Sequence, residues 1–176
     1  NMSVIYLEVV PGKQKILYSM HFIGHVAPMH CTGSGKLLLT NYNEKQLDRY
    51  IREKSLIRLT ANTITTKEAL LEELNRITQQ GYAYDNEECE VGVRCIAAPV
   101  YDYRGRIVAG ISISGPTVRM TDRHIATHLP VLLEKAQQFS QRLGWNPEST
   151  SASGPDSSDL RISGHPWHSG MPKGAF

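Results

Sequence analysis

Two hydroxyls on one predicted strand are the first groups in this sequence whose spacing suggests a binding site. Ser112 and Ser114 fall on the same side of residues 106–114, because successive side chains of a strand alternate between its two faces. Their face comprises Val108, Gly110, Ser112 and Ser114, and the opposite face comprises Ile107, Ala109, Ile111 and Ile113. We expect the isoleucine face to be core. Buried hydroxyls need partners, so the other face could bind a polar ligand.

The preceding strand, residues 93–101, adds a thiol to this face. The turn at residues 102–105 makes the two strands an antiparallel pair. We predict these cross-strand pairs: Tyr101 with Arg106, Cys95 with Ser112, and Val93 with Ser114. A glycine-bulge turn would shift the register by one residue and break this match. The alternative is that the small residues only let a helix pack closely on the sheet.

A glycine-flanked helix start is the second candidate. Gly33, Ser34 and Gly35 precede the apolar run of residues 37–39, which predicts a short buried helix that Thr32 or Ser34 could cap. The first amides of a helix bind carboxylate or phosphate. The segment is not a Walker A loop, because the lysine is not preceded by the required glycine spacing. A close helix–strand contact explains the glycines equally well.

An acidic segment, residues 81–90, is the third candidate. We interpret it as a helix-to-strand loop in which most carboxylates are solvated. One of them, such as Asp85, could turn inward and accept hydrogen bonds from ligand hydroxyls. Paired carboxylates would also suit glycosidase-like chemistry, but nothing else in the sequence supports it.

Metal and nucleophile chemistry find little support. His30, Cys31, Cys89 and Cys95 are not spaced like a zinc site, and the three cysteines include no C-x-x-C, which favours reduced thiols in a cytoplasm. We therefore predict no catalytic residue, no metal and no cofactor. The enzyme alternative is a small hydrolase or lyase that uses Cys95 and Asp85 with His30 as the base.

Several elements must position these groups. A hairpin is expected from residues 4–10 and 16–20. Asn43 and Gln46 predict a capping box at a second helix, and Thr65 with Glu68 predicts the start of a third that ends at Gly81. The last helix should run from about residue 121 to 143, with a kink or break at Pro130. Pro99 suggests a sheet edge or a nearby bulge.

Composition limits the class of protein. With 19 basic and 17 acidic residues the net charge is +2, which does not indicate nucleic-acid binding by electrostatics alone. No segment approaches the roughly 20 apolar residues of a membrane helix. We predict one domain at residues 1–145 and a Pro/Gly/Ser-rich tail at 146–176, either disordered or an expression scar. The chain opens within a strand-like pattern, which is consistent with a fragment of a longer protein.

Four stretches in order resemble the effector-binding domain of the IclR family of bacterial transcriptional regulators. They are residues 28–39, residues 81–88, residues 90–100, and residues 111–116 with Arg119 shortly after. Together they extend the resemblance over roughly residues 4–143. It implies an α+β, GAF-like fold in which helices pack against a curved antiparallel sheet whose concave side holds a ligand.

The resemblance also implies roles for individual residues. Gly33 and Ser34 would offer backbone amides to a carboxylate, and Asp85 would accept from ligand hydroxyls or a water. Cys95, Ser112 and Ser114 would complete the polar wall, with Met29 and Val93 as apolar lining.

Family members carry an N-terminal winged helix-turn-helix and a linker helix, which these residues lack, so DNA binding is expected only through that absent domain. The partners implied are a small carboxylate-bearing effector and further copies of the chain, as a dimer or tetramer, in the cytoplasm and without a membrane. A ligand-free GAF-like interaction module is the remaining alternative.

Overall fold

A computed structural model describes residues 2–12 and 22–147 of the chain. Within them the helices are α1 (Gly33–Leu39), α2 (Glu44–Lys54), α3 (Lys67–Gln80) and α4 (Asp122–Arg142). The strands are β1 (Val4–Ile5), β2 (Val26–Ala27), β3 (Ala83–Asn86), β4 (Val93–Tyr101) and β5 (Ile107–Pro116). The predicted α+β class is confirmed.

The strands form two antiparallel sheets. β1 pairs with β2, and the larger sheet has the order β3-β4-β5. α1 contacts all three strands of the larger sheet, whereas α4 contacts β4 and β5. Because Ala97 and Tyr101 pack in the α1 cluster while Ile96 and Val100 pack in the α4 cluster, the two helices cover opposite faces.

A bulge divides β5 into two parts that face differently. Tyr101 pairs with Ile107 but Val100 pairs with Ala109, so Val108 is the extra residue. Ala109, Ile111 and Ile113 pack against the core cluster on the α4 side, which agrees with the expectation that this face is core. Assigning Ile107 to the same face was wrong, because the bulge turns it into the opposite cluster. Pro99 lies near this bulge, in the part of β4 that extends beyond its pairing with β3.

The N-terminal pairing differs from the predicted hairpin. β1 comprises only Val4–Ile5, and its partner is β2, with Val4 opposite Ala27. The expected second strand, residues 16–20, lies outside the described residues. Of the predicted tail, only Asn146 and Pro147 are described.

Local capping signals predict the helix starts well. The Asn43–Gln46 capping box is present in full at α2, and Gly81 ends α3 in a left-handed conformation with φ 80°. The predicted cap of α3 was wrong by one residue, because Thr66, not Thr65, accepts a hydrogen bond from Ala69.

Helix α4 passes through Pro130 as one helix, so the predicted break does not occur. Proline removes one helical hydrogen bond, and the residues on either side sustain the rest. Ile125, Leu132 and Ala136 form the buried face as expected. Phe139 and Leu143 continue the apolar spacing of this helix, but both are substantially exposed, and Ser140 is the buried residue in the last turn.

The segment predicted as an acidic loop contains strand β3, which was missed. It is only four residues long and carries one charged residue, so no alternation was visible. Within the described part of the chain, no helix is both long and apolar enough to cross a membrane.

Candidate functional site

Three polar side chains stand in one row across the larger sheet. Asp85 of β3 is opposite Cys95 of β4, and Cys95 is opposite Ser114 of β5. Ser112 stands opposite Ala97, the next position on the same face. Directly opposed residues of antiparallel strands project to the same side, so the sheet brings these four polar residues together.

The predicted register of β4 and β5 was wrong by two residues. Cys95 pairs with Ser114 rather than Ser112, because Tyr101 pairs with Ile107 and Val108 adds a bulge. Each difference shifts the pairing by one residue. A one-residue slip reverses the faces, but two slips restore them. The predicted patch therefore survives an incorrect register.

The Cys95 thiol is buried and held in its protonated form. Burial raises its pKa to about 11, while the hydroxyls of Ser114 and Ser112 donate to the sulfur and act in the opposite direction. The thiol itself donates to the Ile96 carbonyl at 3.7 Å. Ser112 nevertheless remains exposed and Ser114 half-buried, so α1 does not cover them completely.

The start of α1 rests on this row through two glycines. A Cβ added to Gly33 would lie 3.0 Å from the Ala97 Cβ and 3.6 Å from the Cys95 sulfur. A Cβ added to Gly110 would lie 2.7 Å from the Ser34 hydroxyl oxygen. The alternative explanation, a close helix–sheet contact, is thus part of the structure, and it brings Gly33 to Cys95 and Ser34 to Gly110.

The amides at the start of α1 lack the usual cap. Thr32 occupies the N-cap position but makes no capping hydrogen bond, because its hydroxyl donates to the Pro28 carbonyl at 2.8 Å. The first amides of a helix have no acceptor within it. Among the residues that the structure describes, the N–H groups of Gly33 and Ser34 have no acceptor, so a group placed beside Cys95 could accept from them.

Asp85 turns inward, as predicted for one carboxylate of the acidic segment. Its Oδ1 accepts from the amides of Glu88 at 2.8 Å and Cys89 at 3.3 Å. Burial raises the pKa of the Asp85 carboxyl, although those amides and the Lys36 ammonium act in the opposite direction. Within residues 2–12 and 22–147, Oδ2 has no hydrogen-bond partner, which leaves it as an acceptor for a ligand donor.

This raised pKa predicts how Asp85→Asn changes the pH dependence of stability. The folded Asp85 carboxyl holds its proton more tightly than the unfolded chain does, so folding is favoured at low pH. Its contribution to the free energy of unfolding is lost as pH rises through the folded pKa. The wild type should therefore lose stability relative to Asp85→Asn as the pH rises above about 4, as measured by urea titrations at each pH.

The control for that experiment is Glu53→Gln. Hydrogen bonding to Arg49 lowers the pKa of the exposed Glu53 carboxyl, so its pH dependence should be small and of opposite sign. A wild-type to Asp85→Asn difference that stays constant, or that rises with pH, would contradict the inferred burial of this carboxylate.

A buried ion-pair cluster beside Asp85 was missed by sequence reasoning. The fully buried Lys36 ammonium lies 2.8 Å from Oε1 of Glu73 and 2.6 Å from Oε1 of Glu88. The Thr60 hydroxyl donates to the Glu87 carbonyl at 2.6 Å, and the Thr63 hydroxyl donates to the Glu88 carbonyl at 2.7 Å. This cluster fixes the β3–β4 loop, and with it Asp85, to α1 and α3.

Tyr6 is a second residue that no sequence pattern indicated. Burial raises the pKa of its phenol, and the negative charge that Cys95, Cys89 and Asp85 can carry raises it further. The β1 segment therefore brings an aromatic hydroxyl into the surroundings of the row. The pairing of β1 with β2 and the hydrogen bond from the Tyr6 amide to the His25 carbonyl help to place it there.

The two predicted apolar lining residues are both buried. Met29 belongs to the α1-side core cluster, where its backbone contacts Gly35. Val93 lies two residues before Cys95 on the same face of β4 and opposite Pro116.

The geometry excludes His30 as a base for Cys95. The Nδ1 atom of His30 lies 3.2 Å from the Tyr50 hydroxyl, and Nε2 lies 3.1 Å from the Ile57 carbonyl. Burial lowers the pKa of this imidazole, and both ring nitrogens are engaged by groups other than Cys95. Together with the protonated Cys95 thiol, this removes the hydrolase or lyase alternative.

Comparisons with known proteins agree on one family. The family model described as the bacterial transcriptional regulator IclR C-terminal domain matches residues 1–141. The chain is similar to the HTH-type transcriptional regulator BhcR of Paracoccus denitrificans, with 44% identity over 66% of this chain and 42% of that protein. It spans about half the length of the curated relatives it matches.

Solved structures give the same result. The IclR protein of Thermotoga maritima is similar with a TM-score of 0.76 and 38% identity, over 82% of this chain and 58% of that one. The inducer-binding domain of PobR from Acinetobacter, solved as a double mutant with 3-hydroxybenzoic acid, is similar with a TM-score of 0.69 and 29% identity, over 75% of this chain and 77% of that one. These likenesses agree with the GAF-like architecture predicted from the sequence.

Proposed function

Because this chain belongs to the IclR family of bacterial transcriptional regulators and matches their C-terminal domain, we propose that it senses a small hydroxy, keto or sugar acid. The relatives are transcription regulators, and the domain is not an enzyme. In the full protein, the acid would change operator binding by the winged helix-turn-helix that the family resemblance implies.

The row of Asp85, Cys95 and Ser114 beside the uncapped start of α1 is the observation that carries this proposal. A carboxylate would accept from the amides of Gly33 and Ser34 and from the nearby serine hydroxyls. A ligand hydroxyl would donate to Oδ2 of Asp85. The site would thus offer hydrogen-bond donors at its α1 end and a hydrogen-bond acceptor, the Asp85 carboxylate, at its β3 end.

The surroundings favour a compact acid. Met29 and Val93 supply apolar surface at the margins, and the Cys95 thiol forms a weakly polar floor. The nearby Lys36 ammonium is already engaged by two carboxylates, so the ligand's charge would depend on amides and hydroxyls. The PobR inducer-binding domain was solved as a complex with 3-hydroxybenzoic acid, which is an acid of this general kind.

The mechanism we infer is a ligand-shifted equilibrium in a cytoplasmic dimer or tetramer. An effector that binds one arrangement of the subunits more tightly shifts the population toward it. That shift would change how two paired DNA-binding domains meet two operator half-sites.

A thermal-shift panel tests the proposal. It contains glycerate, pyruvate and 3-hydroxybenzoate, each beside the uncharged amide of the same skeleton. An acid at about 100 times its Kd stabilises the folded state by about 2.7 kcal/mol, which raises the Tm of a chain this size by about 5–10 °C. We expect at least one acid to do so and its amide to do far less.

Equal shifts from an acid and its amide would contradict carboxylate recognition. If no acid shifts the Tm while an unrelated cation or lipid does, the site assignment is wrong. Failure of every compound would favour a ligand-free interaction module.

A further inference from the structure

Two histidines on the surface of α4 lie side by side. His124 and His128 are four residues apart, a spacing that places two side chains on one face of a helix. Their ring centroids are 4.2 Å apart, and the ring planes are tilted by 56°. His124 is exposed and His128 is partly exposed, so solvent reaches the pair.

The ring nitrogens of this pair have no hydrogen-bond partner in the part of the chain that the structure describes. The buried His30 differs, because both of its ring nitrogens are engaged, one by the Tyr50 hydroxyl and the other by the Ile57 carbonyl. A histidine that serves only the fold is usually bonded in this way when it is buried. The imidazoles on α4 are instead open to a ligand from solvent.

The separation of the two rings fits a shared metal ion. An ion about 2.1 Å from one nitrogen of each ring, with the two bonds at a right angle, would hold the ring centroids about 4.6 Å apart. The observed 4.2 Å is only a few tenths of an ångström shorter. Small rotations of the two side chains would therefore bring one nitrogen of each ring to the same ion.

We propose that His124 and His128 bind a divalent transition-metal ion of the class of Ni²⁺, Cu²⁺ and Zn²⁺. Imidazole nitrogen suits these ions, whereas Mg²⁺ and Ca²⁺ prefer oxygen ligands. No group of three or more His, Cys, Asp or Glu side chains among the described residues could hold a metal ion, so water or a second chelator completes the coordination.

This site is separate from the polar row, so it does not rest on the proposed function. The sequence-based prediction of no metal was drawn from His30 and the three cysteines, and it did not consider the pair on α4.

The backbone that carries the pair is fixed in place. The Thr121 hydroxyl caps α4 by accepting from the His124 amide at 3.3 Å. Arg94 of β4 donates to the Asp122 carboxylate at 3.1 Å and to the Met120 carbonyl at 3.2 Å, which ties the start of α4 to the sheet. Metal binding therefore has to order only the two side chains.

One effect opposes a cation at this place. The first turn of a helix carries a partial positive charge, which lowers cation affinity by at most about fivefold. Arg123 adds a positive charge nearby, but at the surface, where salt screens it. A second imidazole on the same rigid element raises affinity about 100-fold over a single one, so chelation outweighs the repulsion.

The test titrates the reduced 176-residue chain with the Ni²⁺ complex of nitrilotriacetate by calorimetry. This chelator leaves two adjacent positions of the ion open, which a pair of imidazoles can fill, and Ni²⁺ does not oxidise thiols as Cu²⁺ does. We expect one complex per chain. His124→Gln and His128→Gln should each weaken Kd about 100-fold, because either variant leaves one imidazole.

A spacing variant is the matched control. Ala126→His combined with His128→Gln keeps the number of histidines but separates them by two residues, and side chains at that spacing do not face each other. Ala126 is exposed, so this variant should fold, and it should bind as weakly as His128→Gln alone. A second control, His165→Gln/His168→Gln, changes histidines outside the described residues and should bind like the wild type.

Wild-type binding no tighter than that of His128→Gln would overturn the inference, and so would full affinity in the spacing variant. Loss of binding in His165→Gln/His168→Gln would also overturn it, because the ion would then bind at those histidines and not on α4. Circular dichroism of each variant, expected to match the wild type, confirms that the affinities compare folded chains.

Discussion

Lys36→Met should lower the free energy of unfolding by about 3–5 kcal/mol, because it removes one partner of a buried ion-pair cluster. The Lys36 ammonium is completely buried and is the cation bonded to both Glu73 and Glu88. Methionine fills a similar volume but leaves two carboxylates without it. One oxygen of Glu88, Oε2, is already buried without a hydrogen-bond partner among the described residues. Removal of the Lys36 ammonium would therefore leave the Glu88 carboxylate with still fewer hydrogen-bond donors.

Urea denaturation at neutral pH measures this effect, and Lys67→Met is the control. Lys67 also contacts two carboxylates, those of Glu44 and Asp48, but at the surface, where water screens the charges. The control should therefore unfold nearly like the wild type. A triple variant, Lys36→Met with Glu73→Gln and Glu88→Gln, should recover part of the loss because amides do not require the cation.

A Lys36→Met chain no less stable than Lys67→Met would show that the cluster does not hold the β3–β4 loop. The position of Asp85 would then need another explanation, and the acid site would lose its anchored acceptor.

Features set by neighbouring residues could be predicted from the sequence. The Asn43–Gln46 capping box and the ending of α3 at Gly81 depend on a few consecutive residues, and both are present. Strand alternation also assigned Ser112 and Ser114 to one face with Cys95, although the register was wrong. Alternation has a period of two, so it tolerates an even error in pairing but not an odd one.

Features set by long-range contacts could not be predicted. Lys36 lies in an apolar run of a short helix, and its partners Glu73 and Glu88 are 37 and 52 residues away in the chain. No local pattern shows that these charges will be buried together. The arrival of Tyr6 near Asp85 has the same origin.

The bulge at Val108 lies between these cases. Its effect is local, because it turns Ile107 toward the opposite core cluster. Its position depends on how the 102–105 turn closes, which pairs the Asp102 amide with the Arg106 carbonyl at 2.9 Å. Alternation alone cannot locate an extra residue of this kind.

The most direct test of the central claim is the affinity of Ser112→Ala/Ser114→Ala for the acid that stabilises the wild type most. A hydrogen bond to a charged group contributes about 1.5–3 kcal/mol, so losing two should weaken binding roughly 100-fold or more. Neither serine is fully buried, so removal of the two hydroxyls should leave the fold intact. Thr127→Ala, on the exposed side of α4, is the matched control.

Isothermal titration calorimetry on the wild type, the double variant and Thr127→Ala measures the three affinities under one condition. Our account predicts wild-type affinity for Thr127→Ala and roughly a 100-fold or greater weakening of Kd for the double variant, with both variants folded. Equal affinity in all three proteins would contradict it, because the acid would then bind somewhere other than the row of Asp85, Cys95 and Ser114.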